Sequence, residues 1–109
     1  MAEDYFQLHE AVCKSISHAT RLRILYTLDD KTLSATELAE KLDISPSNLA
    51  QHLAILKSRN IVLSFRKGAH AFYKISNPKV MKALRLMSEV IRETQEEQTG
   101  IIEKQGEID

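Results

Sequence analysis

Apolar residues recur along this chain at helical spacing, interrupted by one stretch where they alternate. Tyr5, Leu8, Val12 and Ile16 keep a single helical face to about Ser17. Leu22, Ile24, Leu25 and Leu28 mark a second helix from about Ala19 to Leu28, and Thr32-Leu33 is short enough to add only an edge strand. Ser34-Ala35-Thr36-Glu37 has the form of a capping box, opening a short helix expected to bury Leu38, Ala39 and Leu42. After a break at Asp43-Ile44, Ser45-Pro46 restarts a helix, with Ser as N-cap and Pro where its missing amide costs nothing. Leu49, Leu53 and Leu56 turn its apolar side inward. From Ile61 the period falls to near two through Arg66 and again over 71–75, about a Gly68-containing basic turn, which predicts a hairpin. Asn77-Pro78 then opens a long helix with Val80, Ala83, Leu84, Met87, Val90 and Ile91 on one stripe. The pattern is α+β and mainly helical: one domain over 1–98, a two-helix motif at 34–59, a wing at 61–76, and an acidic tail at 99–109 expected to fray.

Two short helices joined by a tight break, the second with a polar outer face, form a helix-turn-helix, and a hairpin directly after it makes the motif winged. The chemistry on that face suits double-stranded DNA. Asn48 and Gln51 carry amides able to bond adenine bidentately, while Ser45, Ser47 and His52 are expected to reach base edges or phosphates. Lys57, Arg59, Arg66 and Lys67 are placed as phosphate contacts, and His70 at the hairpin tip as a wing residue near phosphate or minor groove.

Net charge at first argues the other way, since fifteen Lys plus Arg balance fifteen Asp plus Glu. By segment, however, residues 1–30 sum to −2, 31–82 to +6 and 83–109 to −4. From Ile44 to Ser88 there is no carboxylate, against eight Lys and Arg. Neutrality is an average over a basic middle and acidic ends. With 109 residues there is one core's worth of chain. No apolar run approaches the ~20 residues of a membrane span, and Met1-Ala2-Glu3-Asp4 lacks the order of a signal peptide, so the expected location is cytoplasmic with no membrane partner. No nucleophile elbow, phosphate loop or dinucleotide fingerprint occurs, so no enzyme is expected, nor a cofactor.

Three runs taken together resemble a known family. They are His18-Ala19-Thr20-Arg21-Leu22-Arg23-Ile24-Leu25, the continuous stretch from Glu37 to Leu56, and Asn60-Ile61-Val62 with Arg66-Lys67-Gly68. They look like the ArsR-type (ArsR/SmtB) family of small winged-helix repressors, over roughly residues 5–95. The resemblance implies a transcriptional repressor that binds an imperfect inverted repeat as a homodimer and releases it when an effector arrives. It also implies a dimer built from the first and last helices, with Tyr5, Leu8, Val12, Ile16, Leu84, Met87, Val90 and Ile91 at the interface. Metal sensors of the family carry Cys-x-Cys on the first motif helix or His and carboxylate pairs on the last helix. Here 34–42 has neither Cys nor His and 78–98 has no His, so neither metal site is expected and the effector does not carry over.

The single Cys13 cannot close an internal disulfide. It reads first as a packed residue of the dimer helix, with a thiol switch as one alternative. A second is a metal site in which His9 and Cys13, four apart on one face, combine with their twofold copies. Of Arg21 and Arg23, one is expected to pair internally and the other to meet phosphate, in an order the sequence leaves open. The competing reading for the whole chain is a winged-helix module that binds protein rather than DNA, because fold alone does not settle function.

Overall fold

A computed structural model describes the backbone of residues 2–108 and the side chains of 4–97. Its elements are α1 (Ala2–Ile16), α2 (Ala19–Leu28), β1 (Leu33–Ser34), α3 (Ala35–Leu42), α4 (Pro46–Ser58), β2 (Val62–Lys67), β3 (His70–Ile75) and α5 (Lys79–Ile108). They divide into two compact units, 1–78 and 79–109. This is the predicted order, element for element.

Local chemistry sets most boundaries. The His18 ring caps α2 by accepting from the Thr20 amide at 3.2 Å. Ser34 and Glu37 form the reciprocal capping box, each side chain accepting from the other's backbone amide at 3.1 Å. Ser34 also ends β1, so one residue closes the strand and opens the helix. At the far end of α3, Asp43 adopts a left-handed conformation (φ 53°), and its amide caps the carbonyls of Ala39 and Glu40. Ser45 then caps α4 by accepting from the Asn48 amide at 3.1 Å, with Pro46 in the first turn.

The sheet has the order β1-β3-β2, all antiparallel. Lys67 pairs with His70, leaving Gly68 and Ala69 as a two-residue loop. Only Gly68 has positive φ there (66°), the arrangement of a type II′ turn. A Cβ at Gly68 would meet no atom within 4 Å, so the conformation and not crowding calls for glycine. β1 pairs through Leu33↔Tyr73 and Ser34↔Phe72, one residue later than the Thr32-Leu33 link predicted for it.

The core of the first unit is aliphatic, with Ile24, Leu25, Leu28, Leu38, Leu49, Leu53, Leu56 and Val62 fully buried. Burial of each such side chain contributes roughly 1.5–3 kcal/mol. α3 commits only Leu38 to it, whereas Ala39 and Leu42, both predicted buried, are half-buried. In α5, Leu84 is half-buried, but Leu86, Met87, Val90 and Ile91 are each more than half exposed. The backbone of α5 is helical through the acidic tail to Ile108, where the sequence predicts fraying; the tail's side chains lie outside the described residues.

Candidate nucleic-acid interface

α4 owes its orientation to Leu49, Leu53 and Leu56, which fix one side of the helix against the core. At 100° per residue, Ser47, Gln51 and Ile55 then stand on the opposite side and all three are exposed. Asn48 and His52 occupy one flank, Pro46 and Ala50 the other. The structure thus brings Ser47, Asn48 and Gln51 together on an open polar surface. Ser45 is used differently: its oxygen already accepts from the Asn48 amide and lies 3.3 Å from the Ser47 hydroxyl, so its first task is to start the helix.

His52 is half-buried and tied to α2. An Arg21 guanidinium nitrogen lies 3.2 Å from its Nδ1, and the His18 and His52 rings are 4.7 Å apart between centroids. Arg21 Nε donates in addition to the Ser15 carbonyl at the end of α1. Because a guanidinium only donates, His52 Nδ1 must be the unprotonated acceptor and Nε2 must carry the hydrogen. Burial, then the neighbouring His18 and Arg21, hold the His52 pKa below its ordinary value of 6.5. Arg21 is therefore the internally paired arginine, with a carbonyl and a ring in place of a carboxylate, and Arg23 is the exposed one. Sequence reading did not find the His18–Arg21–His52 cluster, since its members are separated by up to 34 positions and nothing in a one-dimensional pattern joins α2 to α4.

Exposed cationic side chains follow this helix in the chain. Lys57 lies in its last turn and Arg59 just past its end, both exposed. The chain then reverses through Asn60 (φ 60°), whose carbonyl accepts from the Ser76 hydroxyl at 2.6 Å, anchoring the base of the wing to the end of α4. Arg66 and Lys67 at the end of β2, and His70 at the start of β3, are exposed at the wing's turn. Phe65 and Phe72 stack across the hairpin at 5.8 Å, which stiffens the arm that carries them. On α1, Cys13 and His9 are both exposed, so the packed Cys13 that the sequence suggests is not packed within the described residues. Among the described residues no group of three or more His, Cys, Asp or Glu is placed to hold a metal ion.

Residues 18–64 match the family model described as bacterial regulatory protein, arsR family. The chain is 32% identical over 80 residues to the HTH-type transcriptional regulator KmtR of Mycobacterium tuberculosis, an overlap of 73% of this chain but 62% of KmtR. It is 35% identical over 74 residues to the transcriptional activator HlyU of Vibrio cholerae, 68% of either chain. The solved structure of HlyU superposes with a TM-score of 0.73 at 31% identity, covering 81% of this chain and 96% of that one. The transcriptional repressor SdpR of Bacillus subtilis is 32% identical over 76 residues, 70% of this chain and 84% of SdpR.

Proposed function

The chain belongs to the arsR family of bacterial regulatory proteins, and from that premise we propose that it is a sequence-specific, DNA-binding transcriptional repressor acting in the cytoplasm. It sits on an inverted repeat as a homodimer and leaves when an effector binds. The observation that carries this reading is the face of α4, where Ser47, Asn48 and Gln51 are exposed within a carboxylate-free stretch of chain that also exposes Lys57, Arg59, Arg66 and Lys67. Asn48 and Gln51 read base edges, and Ser47 supports them. Lys57, Arg59, Arg66, Lys67 and His70 hold the phosphates. His52, braced by Arg21 through Nδ1, keeps Nε2–H as its remaining donor toward DNA.

The exposed apolar residues of α1 and α5 support the dimer. Tyr5 (59%), Leu8 (56%), Met87 (57%), Val90 (53%) and Ile91 (53%) are open to water in the single chain, more apolar surface than two amphipathic helices ordinarily leave uncovered. Ser45 is assigned to the cap, with any contact to DNA secondary.

Selection from a random duplex library, followed by mobility-shift titration at two salt concentrations, tests the reading. A selected inverted repeat bound with a steep salt dependence is expected. Equal, weak binding to every duplex would instead favour the protein-binding module.

A further inference from the structure

A cleft of about 470 Å³ opens between α3 and α4, with Tyr73 of β3 among its walls, and the DNA reading leaves it unused. It lies on the Pro46 and Ala50 flank of α4, the flank opposite Asn48 and His52. The sequence explains why it is open. Ala35, Ala39 and Ala50 line it with no atom beyond Cβ, so their side chains leave the space between the two motif helices unfilled. Ile44, Leu49 and Leu53 supply further apolar wall. The remaining lining is polar and of one sign, from Glu40 and Asp43, beside the neutral Thr36. Neither carboxylate joins an ion pair among the described residues, and Asp43 is held in place by its capping role at φ 53°.

Pockets that take small organic molecules run to roughly 300–1,000 Å³ and combine apolar walls with few polar groups, which is the composition found here. We propose that this cleft binds a compact organic cation with an apolar body, such as an aryl- or alkylammonium compound. The body fills the alanine-lined gap, the carboxylates of Glu40 and Asp43 face the charge, and the Tyr73 ring offers a π face. An inorganic cation would forgo the apolar walls, and an anion would meet two carboxylates with no basic residue among the lining. An occupant wedged between α3 and α4 favours their present spacing over any in which the helices tighten on DNA. Only this coupling, which would make the cleft an effector site, rests on the DNA-binding reading.

Benzyltrimethylammonium is a suitable probe, with 3-phenylpropionate as its charge-reversed counterpart. Amide NMR of the full chain without DNA should show saturable shifts at Ala39, Ala50, Leu53 and Tyr73 with the cation and none with the anion. Glu40→Gln with Asp43→Asn, both at exposed positions and with Asn tolerant of the left-handed backbone, should weaken the cation about tenfold, as expected for loss of two exposed charge contacts. Ala50→Met, which fills the gap from an exposed position, should abolish binding at millimolar cation. Shifts confined to other helices, or unchanged affinity in the carboxylate variant, would overturn the site whatever the chain does with DNA. In a second arm, the cation should weaken binding to the selected duplex at least threefold in the wild type and leave Ala50→Met unaffected. Cleft binding without that change would retain the site and overturn its role as effector pocket. Failure of the chain to select any duplex would remove the regulatory premise and leave the NMR arm standing.

Discussion

At the scale of single residues, the proposed interface divides into groups that read sequence and groups that supply affinity, and substitution separates them. Gln51→Ala removes a bidentate amide from the outermost face of α4, so preference at one base pair should relax by roughly 1–3 kcal/mol. Repeating the duplex selection with this variant checks it, and an unchanged preference would remove Gln51 from the readout. Arg66→Ala or Lys67→Ala should instead weaken all duplexes alike and lower the log–log salt slope by about 0.9 per lost contact. His52 is a different case, because its role passes through Arg21. Its pKa is held below 6.5 in the folded chain, so between that lowered value and 6.5 the unfolded chain takes up the proton first. Stability is then complete above about 6.5 and lost as pH falls toward the folded value, since burial disfavours the charged ring and a proton on it also meets the neighbouring His18 and Arg21. Chemical denaturation at pH 7.5 and 5.5 should show this loss in the wild type and a smaller one in His52→Gln, whose amide oxygen still accepts from Arg21. Equal loss in both would place the titration elsewhere.

At the scale of elements, α3 depends most on its ends, because of its eight residues only Leu38 is fully buried. Ser34→Ala deletes the N-cap acceptor and strands Glu37, which should cost about 1 kcal/mol and lower the melting temperature by ~4–8 °C, as measured by calorimetry. An unchanged melting temperature would mean that tertiary packing alone holds the helix. The Ser34 backbone and side-chain contacts hold the Glu37 carboxyl below its ordinary 4.5, so the carboxylate's own half of the box is present above that pH and lost on acidification below it, while the Ser34 cap persists. Both cap residues were legible in the sequence because a capping box is a local device spanning four positions. So were the breaks at Asp43 and Gly68, and the order of all the elements, since period and punctuation act within one turn of chain. What the sequence did not reveal depends on contacts between elements. His18, Arg21 and His52 come together only when α2 packs on α4, and the cleft exists only because alanines from two helices face one another. The half-burial of Ala39 has the same origin, for it lines that gap.

At the scale of the whole molecule, two properties of the chain bear on its assembly. Zero net charge limits indiscriminate attraction to polyanions, while the carboxylate-free run from Ile44 to Ser88 concentrates positive charge on the segment that contains α4 and the wing. In the proposed reading one copy of that segment serves one half-site, and reading an inverted repeat requires a second copy with its motif helix about one helical turn of DNA (~34 Å) away. The apolar residues left open on α1 and α5 are the proposed means of recruiting it. Val90 is the discriminating position, because it is 53% exposed in the single chain. If the protein were monomeric, Val90→Glu would place a carboxylate in water at a site where surface substitutions change stability by less than about 0.5 kcal/mol. If α5 pairs with its copy through its apolar stripe, the same change puts two carboxylates, related by symmetry, into that interface. Sedimentation equilibrium should then show a dimer for the wild type and a monomer for the variant. Affinity for the full inverted repeat should fall by at least tenfold, toward that of an isolated half-site. A variant that remains dimeric would exclude α5 from the interface and shift the proposal to Tyr5 and Leu8 on α1.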